Sequence, residues 1–159
     1  MAQDIIIRIA TESDIPNITK LFYETIQTVN IKDYSLEELD AWSSVHNDTN
    51  KWKQKIDEQF FIVAQLNNDL VGFGSLTKDG YLDLMYVHKA HQRKGIAKKL
   101  YSEIEQKAIE QKNRIIYSDV SITAKEFFKS IGFQVKQLQK KRVKNKELTN
   151  FKMKKNTDI

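Results

Sequence analysis

The sequence predicts an α/β fold on a mixed, mostly antiparallel sheet, and three observations predict it. Residues 60–87 hold three apolar, β-prone runs separated by turn sequences, which reads as a meander. Apolar residues then recur at Ile96, Leu100, Ile104 and Ala108, the spacing of a helix of about four turns. A further strand pattern follows that helix, so it should run parallel to the strand before it. The resulting order is βααβββαβαββ. The 159 residues suit one domain, residues 1–159.

Residues 5–10 (IIIRIA) form the first strand through their β-branched content. Residues 11–14 (TESD) supply caps. Ile15, Ile18, Phe22, Ile26 and Val29 then make one apolar stripe of an amphipathic helix. Ser35 with Glu38 is a capping box for a second helix carrying Leu36, Leu39 and Trp42. Residues 47–56 (NDTNKWKQKI) read as a loop and another short helix. FFIVAQL (60–66) and LVGFGSLT (70–77) are strands joined at Asn67-Asn68-Asp69; Asp79-Gly80 turns the chain into YLDLMYV (81–87). After the long helix, RIIYSDV (114–120) is a strand. AKEFFKSIGF (124–133) is a short helix closed by Gly132. FQVKQLQKKRV (133–143) and ELTNFKMK (147–154) pair across Lys144-Asn145-Lys146. The last five residues, KNTDI, should be frayed.

A net charge of +5 suits an anionic partner or simply a lysine-rich surface. Without cysteine there is no disulfide, thiolate metal site or cysteine nucleophile. His46, His88 and His91 show no ligand spacing, so no metal is expected. No apolar run is long enough to span a membrane, and Asp4 sits where a signal peptide wants positive charge; a cytoplasmic protein is expected. The lysines are spread along the chain rather than interleaved with aromatics, so no nucleic-acid partner is expected.

Residues 91–100 (HQRKGIAKKL) stand where a strand hands over to the long helix. The first turn of a helix has unpaired N–H groups and the positive end of its dipole, which together bind phosphates. Gly95 lets the backbone approach such a group, Ala97 keeps the next inward position small, and Arg93, Lys94, Lys98 and Lys99 add charge. The stretch reads as a pyrophosphate cradle or, more plainly, as a tight turn with solvated lysines.

Gln92-Arg93-Lys94-Gly95-Ile96-Ala97 resembles the Gln/Arg-x-x-Gly-x-Gly/Ala signature of the GCN5-related N-acetyltransferases (GNAT). The lead-in LMYVHKAHQ and the downstream SITAKEFFKSIGF are similar to the family's flanking segments, in the same order over nearly the whole chain. The resemblance implies acetyl-CoA as cosubstrate and direct transfer to an amine, without an acyl-enzyme. It implies that backbone N–H groups of Gln92, Arg93, Lys94, Gly95, Ile96, Ala97 and Lys98 hold the pyrophosphate. Met85-Tyr86-Val87 would splay from the parallel strand near Tyr117-Ser118 and admit the pantetheine arm. Ser121 would contact that arm, and Phe128 would pack beside the thiol.

The oxyanion would meet a strand N–H, that of Val87. Asp83, two and four residues before Met85 and Val87, shares their face if the strand is regular and is the candidate base; a bulge would break that parity. Phe128 stands where many family members carry an acidic tyrosine, and Tyr117 is the candidate substitute. Tyr23, Tyr34 and Trp42, with Trp52, are candidates to line the acceptor site, or are core anchors. The acceptor is a small-molecule or peptide amine of open identity, and a homodimer is open because family members pair through sheet edges or terminal strands. A non-catalytic acyl-CoA-binding sensor on the same fold is the alternative function.

Overall fold

In the computed structural model, which describes residues 4–157, the chain runs β1 (Ile5–Ile9), α1 (Ile15–Val29), α2 (Leu36–Ser43), α3 (Thr49–Glu58), β2 (Phe60–Leu66), β3 (Asp69–Leu76), β4 (Leu82–Val87), α4 (Ile96–Glu110), β5 (Ile115–Ser121), α5 (Lys125–Ser130), β6 (Gln134–Val143) and β7 (Lys146–Asn156). α3 is the short helix expected within residues 47–56, though the expected order counted only two helices before β2. One antiparallel sheet has the order β1-β2-β3-β4 and a second the order β5-β7-β6. A single parallel bridge, Tyr81 to Tyr117, joins them.

Local chemistry sets the boundaries. Thr11 and Asp14 form a capping box ahead of α1, and Arg8 of β1 donates to both Asp14 oxygens at 2.8 and 2.7 Å, tying helix to strand. Ser35 accepts from the Glu38 N–H at 3.1 Å while Glu38 accepts from the Ser35 N–H at 2.8 Å, starting α2. Asp48 caps α3 through the Lys51 N–H. Asn67 and Asn68, and again Lys144 and Asn145, take positive φ at the two central positions of tight hairpins.

The first sheet is buried on both faces. Along β2, Ile62 and Ala64 join the core under α4 and α5, while Phe61 and Val63 face α1, α2 and α3. Glycines in β3 let α4 sit close: a Cβ on Gly74 would lie 2.9 Å from Ile104 Cδ1, and one on Gly72 3.1 Å from Leu100 Cδ1. The frayed tail expected from KNTDI is not found as far as Thr157. β7 continues to Asn156, and Thr157 bonds back through its N–H to Arg114 O (2.9 Å) and through its hydroxyl to Asn113 O (2.6 Å). The rest of that expectation, residues 158–159, lies outside the described residues. Among the described residues no helix is long and apolar enough to cross a membrane.

Candidate functional site

β4 and β5 meet at one end only. The Tyr117 N–H donates to Gly80 O at 3.0 Å and the Ser118 hydroxyl to Leu82 O at 2.7 Å. Beyond that point each strand follows its own sheet: β4 stays paired with β3 through Val87, and β5 with β7 through Ser121. The His88 N–H donates to Val71 O, so the ladder alternation turns the amide groups of Met85 and Val87 away from β3, toward the opening. The Val87 carbonyl accepts Gln92 Nε2 at 2.5 Å, which pins the following loop to the strand end; the Val87 N–H is left facing the opening.

That loop ends in an uncapped helix. Arg93 (φ 62°) and Gly95 (φ 79°) are both left-handed, which gathers neighbouring N–H groups into a concavity. No side chain caps α4, so the N–H groups of Ile96, Ala97 and Lys98 face outward. A Cβ on Gly95 would meet nothing within 4 Å. Glycine is therefore called for by its φ, and the space above it is open. A cleft of about 520 Å³ runs from this mouth between β4 and β5 to Phe128. Met85, Tyr86, Val87, Gln92, Arg93, Gly95, Ile96, Ala97, Lys98, Ser121 and Phe128 line it; Lys94 is exposed and does not. The uncapped turn, the open Gly95 and the cationic Arg93 and Lys98 fit a diphosphate-bearing group. His91 also lines the cleft, with a buried Nδ1 that has no partner; burial, Lys94 and His88 hold its pKa below the usual histidine range.

A second cavity of about 320 Å³ opens on the α1–α3 side, sharing Trp42, Asp83, Tyr86, Asp119 and Ser121 with the first. Asp83 is the extra residue of a bulge: Ser75 pairs with Leu84 and Leu76 with Leu82. The bulge overturns the regular-strand expectation. Asp83 leaves the face of Met85 and Val87 and turns to α3, where its Oδ2 accepts from Lys55 at 2.5 Å and Gln59 at 3.0 Å.

The aromatic candidates separate. Tyr34 and Trp42 line the second cavity, ring centroids 5.4 Å apart. The Tyr34 hydroxyl donates to Thr149 O (2.6 Å) and accepts from the Ile122 N–H (2.9 Å), and burial raises its pKa. Trp52 is a core anchor at the cavity wall, its indole N–H on Val45 O. Tyr23 is exposed against His46 and lines neither cavity. Tyr117 lines neither as well. Its hydroxyl donates to Asp79 at 2.6 Å, and that bond with burial pushes its pKa up to about 12. The hydroxyl, expected as a candidate acid, is engaged at the closed end of the split, away from the cleft.

Sequence reasoning missed two residues of the second cavity, Asp119 and Asn150, and Tyr86, expected only on the strand beside the pantetheine arm, lines that cavity too. Asp119 accepts from Tyr81 (3.0 Å) and Gln139 (2.6 Å). Tyr86 carries a hydroxyl whose pKa burial raises. Asn150 has a buried Oδ1 without a partner. None lies in a recognisable spacing; the alternation of Ser118 inward and Asp119 outward along β5 was the only available signal for Asp119. Among the described residues no cluster of histidine and acidic side chains could hold a metal.

The family described as "Acetyltransferase (GNAT) domain" matches residues 30–157. The Escherichia coli K12 protein named "Uncharacterized N-acetyltransferase YafP" is 29% identical over 140 residues, 88% of each chain. A GCN5-related N-acetyltransferase structure from Rhodopseudomonas palustris is 27% identical, covers 98% of both chains and superposes with a TM-score of 0.93. PaiA N-acetyltransferase from Thermoplasma acidophilum, solved with coenzyme A, is 20% identical over 96% of this chain and 99% of its own, with a TM-score of 0.81, and shares the fold.

Proposed function

The chain belongs to the GNAT acetyltransferase family, and from that premise we propose that it moves an acetyl group from acetyl-CoA directly to a primary amine of a small-molecule or peptide acceptor. The observation that carries the proposal is the meeting of two cavities at Asp83: one begins at an uncapped helix mouth, the other opens on the opposite side of the sheet. Acetyl-CoA, solved with a neighbour of this fold from Salmonella typhimurium, supplies a thioester whose C–S bond is exchanged for the C–N bond of the amide.

In this reading the N–H groups of residues 93–98 bind the diphosphate, with Arg93 and Lys98 adding charge. The opening-side edge of Met85 and Val87 takes the arm as a neighbouring strand would, and Ser121 and Phe128 flank it. The Val87 N–H is the donor for the oxyanion, preorganised because its strand is held by β3. Asp83 takes the amine proton on Oδ1, while Lys55 and Gln59 hold Oδ2 and fix the carboxylate. No side-chain acid is assigned to the departing thiolate; a thiol with a pKa of about 8.5 leaves as a stable anion.

The test is free-thiol release from acetyl-CoA with and without amines. Amine-dependent release supports transfer. Tight acetyl-CoA binding with no release across a broad amine panel favours the non-catalytic acyl-CoA sensor, which the apolar Phe128 would suit.

A further inference from the structure

We propose that the acceptor is a small monoamine with an apolar or aromatic body and a carboxylate, the chemistry of an aromatic α-amino acid, and not a polycation. The inference rests on the transfer reading above, because it assigns the second cavity to the acceptor.

Charge comes first. Two carboxylates line this cavity, and the protein neutralises both. Asp83 is paired with Lys55 at 2.5 Å, and Asp119 with Lys141 at 3.7 Å as well as with two neutral donors. Lys51, on the same wall at the start of α3, has no carboxylate within ion-pair distance among the described residues. The wall therefore carries a surplus positive charge and holds no anion for a second ammonium group. A polyamine or aminoglycoside would have to displace the largely buried Lys55 from Asp83 and leave it uncompensated, or compete with the exposed Lys141 for an Asp119 that already accepts two neutral donors.

Shape and hydrogen bonding point the same way. Phe22, Tyr34, Trp42 and Tyr86 present aromatic surface around about 320 Å³, the low end for a small-ligand site. Asn150 Oδ1 is buried, unpartnered and on this wall. It can only accept a hydrogen bond, so it suits the N–H of an incoming amine. The acceptor's carboxylate then lies toward Lys51 and its amine toward Asp83 at the junction.

The test uses the protein saturated with coenzyme A for binding, followed by tryptophan fluorescence and calorimetry, and acetyl-CoA for turnover. The probes are phenylalanine, phenethylamine and spermidine. Phenylalanine is expected to bind at least about tenfold tighter than phenethylamine, the worth of one charge-assisted contact, and spermidine should show no saturable binding. Lys51→Met, at an exposed helix position, should abolish the tenfold preference for phenylalanine over phenethylamine. Spermidine binding as tightly as phenylalanine, or equal binding of phenylalanine and phenethylamine, overturns the inference. The two readings fail separately. Phenylalanine binding without thiol release defeats transfer and leaves the acceptor class standing; thiol release with spermidine alone does the reverse.

Discussion

The two halves of the site are made of different material. The cleft leading from α4 is built from main chain: an uncapped helix turn, two left-handed residues and a strand edge turned away from its partner. The second cavity is built from side chains, and most of its polar groups are already engaged, Asp83 by Lys55, Asp119 by three partners and Tyr34 by two backbone groups. A main-chain site depends on one conformation and tolerates many side chains, so unrelated acceptors can be served by one donor cradle. A side-chain site is specific to its chain and is altered by single substitutions. The donor half should therefore be sensitive at few positions and the acceptor half at many.

Gly95→Asp should give the largest effect. An aspartate there would carry charge and bulk into the open space above the helix mouth, where a diphosphate would sit. Calorimetry should show acetyl-CoA affinity falling by about a hundredfold or more, two powers of ten being about 2.7 kcal/mol. The fold should survive, since a left-handed non-glycine residue costs about 1–2 kcal/mol and no atom lies within 4 Å of the new Cβ. Unchanged affinity would mean that the donor is not held by this turn.

Asp83→Asn comes next and probes the junction between the halves. It keeps an oxygen for Lys55 and Gln59 but cannot take a proton. kcat should fall by about 10²–10⁴, the range for a general base, with acetyl-CoA binding unaltered. A kcat within a factor of three of the parent would remove Asp83 from the chemistry.

The same contrast governs what the sequence made legible. Gly95, Gln92 and the strand–helix handover are visible because a backbone conformation demands particular residue types, and the meander, caps and turns follow for the same reason. The direction of Asp83 was not legible: periodicity put it with Met85 and Val87, and one extra residue in the ladder reversed it. Tyr117 was a reasonable acid by position on β5, but its hydroxyl's destination depends on Asp79, whose turn folds back from another strand. The wall of the second cavity brings together residues from α1, α2, α3, β4, β5, β6 and β7, and no local pattern records such a convergence. The order of the tail as far as Thr157 was not legible because its hydrogen bonds to residues 113 and 114 are likewise non-local.

Tyr34→Phe should separate stability from donor binding. The change strands a half-buried Thr149 carbonyl and Ile122 N–H, for a cost of about 1–3 kcal/mol. At about 2–4 °C per kcal/mol for a chain of this size, the melting temperature should fall by roughly 2–12 °C. Acetyl-CoA affinity should stay within a factor of two, because Tyr34 lines the second cavity and not the cleft from α4. A large loss of acetyl-CoA binding would show that the two halves are mechanically coupled.

Tyr117→Phe should do least, and its smallness is informative. The hydroxyl bonds Asp79 at the closed end of the split, so kcat should be unchanged and stability should fall by about 1 kcal/mol or less near neutral pH. The bond also has a pH signature at both ends. The Tyr117 pKa is raised, to about 12, so its contribution is whole below the unfolded value near 10 and disappears as pH climbs toward 12. The Asp79 pKa is lowered by bonds from Thr77 and Tyr117, so that carboxylate's contribution is present above its unfolded value and disappears as pH falls through the lower folded one. Denaturation of parent and variant across pH should give curves that differ in the neutral range, with the parent's advantage shrinking as pH climbs from about 10 toward 12. A variant that instead lost turnover would place Tyr117 in the chemistry, and the split between β4 and β5 would then have to open from its other end.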